Sequence, residues 1–389
     1  MAILFISGLE SDHIKSSSGG NAVWGIADSL VKHCGGEVEF VSHQNIPSFP
    51  QGKLWLRGYE TTFGGVNRIR VLSTLNIKIV KTKLWSLLIR KEIRKWAQRH
   101  NGENLYILIY NTYHPSISDV YKACQKVNAK LYAILYDLGV PPIRLGLSRL
   151  TMIGYKMAEK TAEKYIPLLD GRIIINELIS RHYAPDKDYI LVDGGVNRNV
   201  IQHLFPLKEK KSDVYTFVLA GMLWDQNGTK LLLEAMATYS NPNVRVVFAG
   251  RGNDVSLIEE AAMRDKRIRY AGILNMDELF KLYEEADVLL NLRLEEEVDF
   301  HFPGKLLEYL VTGRYVVSTP VAHAERDYGN FMSVLHDKTP IGLTNMIESI
   351  IEMGKPKLFE TGNKARNYML ENRTWEVQTK RILQYMGLY

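Results

Sequence analysis

Short apolar segments alternate with helix-like segments along the whole chain. In the first half the apolar segments are AILFIS, VEFVS, LYILIY, KLYAILY and GRIIIN, and runs such as NAVWGIADSLVKH and SDVYKACQKVN lie between several of them. Strands separated by helices predict a parallel sheet with helices on both of its faces. The first half is therefore expected to be one doubly wound α/β domain.

The same alternation starts again in the second half. The segments TFVLAG, VRVVFAG, IRYAG and DVLLNL are each followed by a helix-like run, and YVVST closes the series. We place the divide between the two series at 197–212, a charged stretch that contains a proline. The pattern thus predicts two Rossmann-like domains, 1–196 and 212–371, followed by an amphipathic tail helix over 372–389.

Length and composition agree with this organisation. A chain of 389 residues suits two domains, and 46% hydrophobic with 24% charged residues is typical of a water-soluble globular protein. No apolar run approaches the ~20 residues that cross a bilayer. The N-terminal MAILFISGLESD lacks a basic flank and a cleavage site, so we expect a buried strand there. Cys34 and Cys124 show no metal-ligand spacing, and reduced thiols in a cytoplasmic protein are expected.

The net charge of +6 is concentrated in one predicted helix, 78–100. Its Lys and Arg residues stand against one acid, Glu92, and its apolar residues recur at helical spacing. Two interpretations stay open: a helix packed on the sheet with a solvated basic face, or docking onto an anionic membrane surface. Nucleic acid is not expected as a partner, because no recognition motif accompanies the charge.

Ligands of doubly wound sheets bind beyond the carboxyl ends of the strands, so the loops at those ends are the candidates. In the first half, SSSGGN brings Gly19 and Gly20 to the start of a helix, where a ligand can approach the backbone and an anion is favoured. His114 follows LYILIY and can handle a proton or contact a hydroxyl. A plain turn and a structural loop histidine explain the same residues. Neither a nicotinamide motif nor a P-loop is present.

In the second half, two successive strands end in a glycine that opens a helix. The loops are AGMLWDQNG, with Gly221, and AGRGND, with Arg251. Two such units in one sheet can hold a nucleotide together, and Arg251 can pair with a phosphate or stack on a base. Either loop alone would be an ordinary strand-to-helix turn.

The stretch FPGKLLEYLVTG places Pro303 and Gly304 at the first turn of a helix that also carries Lys305 and Glu308. The free amides of that turn and the helix dipole attract an anion, and Lys305 adds a full charge. Glu308, one turn further on, can accept the paired hydroxyls of a ribose. The stretch therefore fits a nucleotide-sugar, although a capped helix with a Lys–Glu pair would have the same sequence.

These segments together resemble the retaining glycosyltransferases of the GT-B fold, in particular the family 4 enzymes of bacterial surface polysaccharide assembly. The resemblance is carried by GGNAVWGIADSL, ILVDGGVN, FVLAGMLWDQNGTKLLLEAM, FHFPGKLLEYLVTGRYVVSTP and NRTWEVQTKRIL. The fourth is the most specific, since it is similar to F-P-S-K-x-x-E-Y-L-x-x-G-x-P-V-V. The resemblance implies two domains facing across a cleft, with a helix over 372–389 crossing back to complete the first.

The resemblance also implies an activity. A sugar would pass from a nucleotide-diphosphate donor, UDP rather than GDP, to a glycan or lipid-linked acceptor, with retained configuration and with neither metal nor cofactor. The first domain would take the acceptor and the second the donor. Glu308 would bind the ribose, with a part in catalysis, and Gly304 and Lys305 would lie by the diphosphate.

Further site residues follow from the same resemblance. Gly19 and Gly20 would approach the diphosphate from the first domain, and His114 would be the catalytic residue near the reacting end of the sugar. The remaining residues expected at the donor are Gly221, Asn227, Arg251 and Arg293.

The chain departs from the family pattern at three positions. Met222 and Asn227 stand where members commonly have Arg and Lys, and Phe300 stands where the first Glu of the E-x7-E pattern is usual. The charge could be replaced by Arg251, Arg293 and Lys305, and the carboxylate by Glu295–Glu297.

Three hypotheses result. The first is an active retaining transferase in the cytoplasm, peripheral on the inner face of the cell membrane, with the basic helix 78–100 facing a lipid-linked acceptor. The second is a GT-B protein with weakened chemistry that serves as a binding subunit or scaffold for an active partner. The third, a nucleotide-sugar epimerase, would need more carboxylates than the first-half loops offer.

Overall fold

The computed structural model describes residues 1–8, 18–44, 46–63, 67–112, 116–136, 149–294 and 302–389. Its internal contacts divide the chain into two compact units. The first contains Met1–Gly195 and Trp375–Tyr389, and the second contains Val196–Thr374. The charged stretch 197–212 belongs by its contacts to the second unit.

The first unit is built on an eight-stranded sheet and a small two-stranded one. Its strands are Ala2–Ser7 (β1), Val38–Ser42 (β2), Trp55–Leu56 (β3), Tyr59–Phe63 (β4), Asn67–Val71 (β5), Thr74–Leu75 (β6), Leu105–Tyr110 (β7), Lys130–Leu135 (β8), Gly171–Ile174 (β9) and Ile190–Leu191 (β10). Its helices are Ser18–Cys34 (α1), Lys78–Arg99 (α2), Ile117–Val127 (α3), Arg149–Tyr165 (α4) and Glu177–Tyr183 (α5), with Trp375–Tyr385 (named α14 below, in chain order).

The large sheet has the order β10-β9-β8-β7-β1-β2-β5-β4. All neighbouring strands are parallel except the edge strand β4, which runs antiparallel to β5. The predicted strands are confirmed, and β1 is buried at all six positions, as expected of a central parallel strand covered on both faces. The antiparallel edge was not predicted, because polar residues interrupt YETTF and NRIRV, which lack the continuous apolar run of the central strands.

The C-terminal helix α14 packs on α1 within the first unit. A Cβ added at Gly25 would lie 2.1 Å from the ring of Trp375, so only glycine allows the two helices this approach. Lys32 of α1 also forms an ion pair of 2.9 Å with Glu376. The tail helix and its return to the first domain are therefore confirmed, within the predicted range 372–389.

The second unit repeats the strand–helix alternation around a six-stranded parallel sheet. Its strands are Tyr215–Met222 (β11), Val244–Arg251 (β12), Ile268–Tyr270 (β13), Val288–Asn291 (β14), Tyr315–Ser318 (β15) and Met332–Val334 (β16). Its helices are Arg198–Gln202 (α6), Thr229–Thr238 (α7), Val255–Arg264 (α8), Met276–Glu285 (α9), Gly304–Thr312 (α10), Ala324–Tyr328 (α11), Pro340–Met353 (α12) and Lys355–Asn372 (α13).

The order of this sheet is β13-β12-β11-β14-β15-β16. It is the doubly wound 3-2-1-4-5-6 order, in which the direction of winding reverses between the first and fourth strands, here β11 and β14. Crevices for ligands open at the carboxyl ends of the strands beside such a reversal. The loops after β11, β12 and β14 are therefore the place where a site is built.

The basic helix α2 covers the predicted range 78–100 almost completely. Its apolar face, with Trp85, Ile89, Ile93 and Trp96, is buried within the first unit. Among the described residues, no helix combines the length and the apolar character that a membrane span requires.

Candidate functional site

Two glycines lie side by side at the carboxyl edge of the second sheet. Gly221 of β11 is the register partner of Gly250 of β12, and both have φ +128. A Cβ on Gly250 would lie 1.9 Å from the carbonyl oxygen of Gly221, and this distance is too short for any side chain. The two strand ends thus approach closely and leave their backbone open at this edge.

Lys305 reaches over this pair of glycines. A Cβ placed on Gly221 would lie 3.4 Å from the Lys305 ammonium nitrogen. The same ammonium lies 5.6 Å from the centre of the Tyr309 ring. Within the described part of the chain it has neither a carboxylate nor a carbonyl partner. The cation is therefore held in place by packing, while its charge is available to an anion.

The helix start beside Lys305 is accessible. Helix α10 begins at Gly304, and Pro303 is its N-cap, one position earlier than the first-turn place predicted for it. Proline offers no side-chain acceptor, and no described side chain caps this end. Gly304 is exposed and Lys305 is half-buried. The first-turn amides and the positive end of the helix dipole thus face the same edge as the Lys305 ammonium.

Glu308 is oriented by a buried tyrosine. The Tyr283 hydroxyl donates to Glu308 Oε1 at 3.2 Å, and Tyr283 has no exposed surface. Burial, then the charge of Glu308, holds the pKa of Tyr283 well above its usual value, so this hydroxyl remains a donor. Glu308 itself is half-buried. One carboxylate oxygen is fixed by Tyr283, and the other has no partner among the described residues.

A second tyrosine connects Lys305 to the strand end. The Tyr309 hydroxyl donates to the Ala220 carbonyl at 3.1 Å and accepts from the Ala220 amide at 3.3 Å. The rings of Tyr309 and Tyr283 meet edge to face with centroids 5.5 Å apart. The two rings thus tie α10 to the residue before Gly221. Sequence reasoning missed both tyrosines, although Tyr309 lies one turn after Lys305 on the same helix face.

Arg251 stands directly opposite one of the unusual positions. It ends β12 and is the register partner of Met222, the residue found where a cation was expected. Both side chains are exposed, and the Arg251 guanidinium has no hydrogen bond or ion pair within the described residues. Neighbouring strands are about 4.8 Å apart, so the side chain of Arg251 begins one strand away from that of Met222.

Asn227 has a structural contact. Its side-chain amide donates to the carbonyl of Met222 at 2.7 Å and so closes the turn after β11. Its Oδ1 is buried and has no partner in the part of the chain that the structure describes. The same holds for three further polar atoms between β11 or β12 and the start of the helix that follows it, namely Trp224 Nε1, Thr229 Oγ1 and Asp254 Oδ2. These loops carry more hydrogen-bonding capacity than they use internally.

Arg293 follows β14 on the same edge. Its backbone amide donates to the Thr319 hydroxyl at 2.8 Å, and the amide of Thr319 donates to the Asn291 carbonyl at 3.2 Å. These bonds fix the ends of β14 and β15 to each other. The structure therefore brings the predicted residues of the second domain, Gly221, Asn227, Arg251, Arg293, Gly304, Lys305 and Glu308, to one edge of one sheet.

The carboxyl edge of the large sheet in the first unit carries other groups than that of the second. Gly19 and Gly20 lie in the first turn of α1, as expected. The Ser7 and Thr112 hydroxyls are buried without a partner among the described residues. His43, after β2, was missed by sequence reasoning; its ring packs 4.4 Å from that of Trp85, centre to centre. His114, Phe300 and Glu295–Glu297 lie outside the described residues.

Comparisons with known proteins agree with this geometry. Residues 214–352 match the family model Glycosyl transferases group 1. Sucrose-phosphate synthase from Thermosynechococcus elongatus has 13% sequence identity, with 100% of this chain and 98% of that chain covered and a TM-score of 0.67. A glycosyltransferase from Rickettsia africae has 14% sequence identity and a TM-score of 0.68, with 100% of this chain and 98% of that chain covered. Anabaena HepE in complex with UDP has 14% sequence identity and a TM-score of 0.65, with 100% of both chains covered. No curated protein sequence matched.

The fold is that of the GT-B proteins, with two doubly wound α/β sheets and a C-terminal helix on α1, which confirms the predicted fold class. The family resemblance is confirmed where it was most specific, since the group 1 glycosyl transferase match covers most of the second unit, including Lys305 and Glu308.

Proposed function

We propose that this chain is a retaining glycosyltransferase that moves a sugar from a nucleotide-diphosphate donor. The observation that carries the proposal is the arrangement around α10. There, an unpaired Lys305 ammonium and the open start of a helix lie beside Gly221, and one turn further Glu308 is oriented by Tyr283. A pyrophosphate is bound by cations and backbone amides, and a ribose by a hydroxyl acceptor, so these groups suit the two parts of a nucleotide-diphosphate.

In this proposal the donor diphosphate lies at the first turn of α10. Its negative charge is balanced by Lys305, with Arg251 from the neighbouring strand end taking the place of the cation missing at Met222. Charge-assisted hydrogen bonds to backbone amides and to these side chains are the strong kind. Glu308 accepts the ribose hydroxyls through the oxygen that Tyr283 leaves free. No metal is required, because the protein itself supplies two cations.

UDP is the proposed nucleotide. HepE, which shares the fold, was solved with UDP and, at 15% identity and a TM-score of 0.61, with UDP-glucose. The proposed acceptor is a glycan or a lipid-linked glycan of cell-surface polysaccharide assembly, taken by the first unit. Retention of configuration, Gly19 and Gly20 as donor contacts, and His114 as the catalytic residue near the reacting sugar belong to the same proposal.

A second function is favoured by a specific observation. Met222 is 40% exposed at the position where the family commonly has a cation, and Asn227 uses its amide to close its own turn. A chain with these substitutions could bind a nucleotide weakly or not at all and serve as a subunit of an active transferase. The two candidates differ in what they predict for donor binding and turnover.

Thermal unfolding with UDP, GDP and dTDP, followed by turnover of their sugars, separates these candidates. A ligand that binds only the native state must raise the unfolding temperature. The transferase predicts that UDP gives the largest rise, that Glu308→Gln reduces it, and that a UDP-sugar is consumed. A rise without turnover would favour the binding subunit. No effect of any nucleotide would contradict the proposed donor site.

A further inference from the structure

Large apolar side chains are exposed together at one corner of the first unit. Phe49, Leu54 and Trp55 belong to the segment 46–57, and Ile77 and Val80 to the start of α2. Their exposed fractions are 52, 44, 59, 40 and 38% in that order. We call these five residues the apolar tip. Soluble proteins rarely leave apolar groups of this size together without a use.

Hydrogen bonds hold the two segments of the tip together. The Asn76 amide donates to the Leu54 carbonyl at 2.7 Å, and the Phe49 amide donates to the Asn76 carbonyl at 2.9 Å. The fully buried Asn76 side chain also donates to the carbonyls of Pro47 and Lys53, both at 2.8 Å. Strands β3 and β6 add the pairing of Trp55 with Leu75. The tip is therefore a built surface and not a loose loop.

A stripe of α2 continues from the tip. Val80, Lys83, Leu87, Lys91, Arg94 and Gln98 recur at spacings of three or four residues, which places them on one face of the helix. All six are exposed, with Leu87 at 52%. We call the cations of this face, Lys83, Lys91 and Arg94, the basic stripe. The opposite, apolar face of α2 is buried and not available to a partner.

The charge of this surface is one-sided. The segments 46–58 and 72–91 contain no Asp or Glu, while Lys53 and Arg57 flank the tip and Lys83 follows it. The first acid of α2, Glu92, is buried and paired with Arg70 at 2.7 Å. A cationic surface around exposed apolar groups complements an anionic one into which those groups can insert.

We propose that the apolar tip and the basic stripe dock the first unit onto an anionic lipid surface. Phe49, Leu54 and Trp55 enter the boundary between headgroups and acyl chains, and the stripe contacts the headgroups. Lysine is depleted at protein–protein interfaces, whereas anionic lipids attract it, so a membrane fits this surface better than a protein does. The proposal goes beyond the transferase function and does not rest on it.

Co-sedimentation of the full chain with vesicles tests the proposal. Vesicles of phosphatidylcholine alone are compared with vesicles holding about 30% phosphatidylglycerol, whose negative surface should bind the protein and release it as salt rises. Replacing Leu54 and Trp55 by Ser should weaken binding about tenfold. Lys83→Gln with Lys91→Gln should weaken it about 25-fold, since each lysine near such a surface contributes roughly a factor of five.

A matched control comes from the second unit. Met263 and Ile273 are 81% and 73% exposed and belong to neither the apolar tip nor the basic stripe, so their replacement by Ser should leave vesicle binding unchanged. Trp55 emission should shift to shorter wavelength on binding. Trp55→Phe should remove that shift and keep the binding, which shows that the signal comes from the tip.

Several results would overturn the proposal. One is equal binding to neutral and anionic vesicles, and another is no binding to either. Unchanged binding of the tip variant, with its fold verified by circular dichroism, would also do so. If the chain instead self-associates and the tip variant abolishes that association, the surface belongs to a second copy and not to lipid. All of these outcomes are independent of nucleotide binding and therefore leave the proposed function untouched.

Discussion

The second unit carries two sets of cations, at opposite edges of the same sheet, and they differ in what they contact. At the carboxyl edge, Lys305 and Arg251 have no hydrogen-bonding or ionic partner in the described part of the chain. At the amino edge lie four cations whose groups are used inside the protein, namely Lys210, Arg314, Lys355 and Arg366. Both sets are basic, but only one has charge available for a ligand.

The amino-edge cations are centred on one buried acid. Asp287 pairs with Lys355 at 3.1 Å, and its other oxygen accepts the Thr216 amide at 2.8 Å. Lys355 also donates to the Val214 carbonyl at 2.7 Å. Arg314, 7% exposed, donates to the carbonyls of the α9 end, at 3.1 and 2.8 Å. These side chains line a small cavity of about 20 Å³, and their hydrogen bonds tie strands and helices together.

Helix α10 has a cation with internal partners at its C-terminus and one without them, among the described residues, at its N-terminus. Arg366 donates to the carbonyls of Val311, at 3.1 Å, and of Thr312, so it caps the C-terminus. Burial lowers the pKa of Arg366 to about 10. At the N-terminus, Lys305 has only a ring and a glycine beside it. A cation at a helix C-terminus stabilises the fold, whereas one at an N-terminus opposes the helix dipole unless an anion joins it. The presence or absence of internal partners, and not basic character, distinguishes the proposed ligand-binding cations from the structural ones.

The largest expected effect is a loss of stability on replacing one of the amino-edge cations. Lys355→Met removes the 3.1 Å ion pair of Asp287 and leaves this buried carboxylate with the more distant Lys210, at 4.0 Å, and Arg314 as cationic neighbours. Removing one member of a buried ion pair costs about 3 kcal/mol or more in the free energy of unfolding. Urea denaturation measures this loss, while the dissociation constant for UDP at a temperature below unfolding should not change.

Lys357→Met is the matched control for this experiment. Lys357 is two residues away but 54% exposed, and its pair with Glu360 is solvated. Exposed pairs contribute about 0–1 kcal/mol, so the control should stay close to the wild type. Equal stability losses in the two variants would contradict the assignment of Lys355 to the fold.

The second prediction concerns a carboxyl-edge cation, whose loss should weaken UDP binding and leave stability nearly unchanged. Lys305→Ala should weaken UDP binding about 10- to 100-fold, because a hydrogen bond to a charged group contributes about 1.5–3 kcal/mol. Its free energy of unfolding should change little, since the ammonium has no internal partner among the described residues. Isothermal titration calorimetry gives the affinity, and Lys281→Ala, an exposed lysine of α9, is the control. A stability loss without an affinity loss would place Lys305 with the structural cations.

The sequence pointed to one set of cations and gave no sign of the other. Lys305 and Glu308 were predicted because FPGKLLEYL places them at a helix start with a known physical preference for anions. Arg314 and Arg366 gave no such signal, since their partners are backbone carbonyls, which every sequence has. Five strands of each large sheet were predicted from their apolar runs, whereas β4, β5 and β10 of the first sheet and β16 of the second were missed.

The same limit of sequence patterns explains why Tyr283 was not predicted. Tyr283 lies 25 residues before Glu308 in the sequence, and only the packing of α9 beside α10 brings their side chains together. A pattern with a period of three to four residues reports contacts within one helix and not between helices. The opposition of Arg251 and Met222 likewise depends on strand register, which the sequence leaves open until the sheet order is known.

A smaller effect sharpens the role of Glu308. Tyr283→Phe removes the hydroxyl that fixes one carboxylate oxygen, and UDP affinity should fall about fivefold, equivalent to ~1 kcal/mol. Because the proposed contact of Glu308 is the ribose, competition by inorganic pyrophosphate should be unaffected. Tyr315→Phe, which loses a 2.8 Å bond to Ser333 at the other edge of the sheet, is the control and should not change UDP affinity. Equal weakening for UDP and pyrophosphate would point to a general packing defect.

The smallest expected effect concerns the amino-edge set and pH. Burial, only partly offset by Asp287, lowers the pKa of Lys210 from 10.5 to about 8. Between pH 8 and 10.5 the unfolded chain therefore binds more protons at this site than the folded one, and the contribution of Lys210 to stability rises with pH. Below pH 8 the lysine is charged in both states and its full penalty is present. Unfolding free energies of the wild type and Lys210→Met, measured from pH 7 to 10, should differ by an amount that shifts in favour of the wild type as pH rises. A constant difference would mean that the carbonyl of Glu285, to which Lys210 donates, compensates its charge completely.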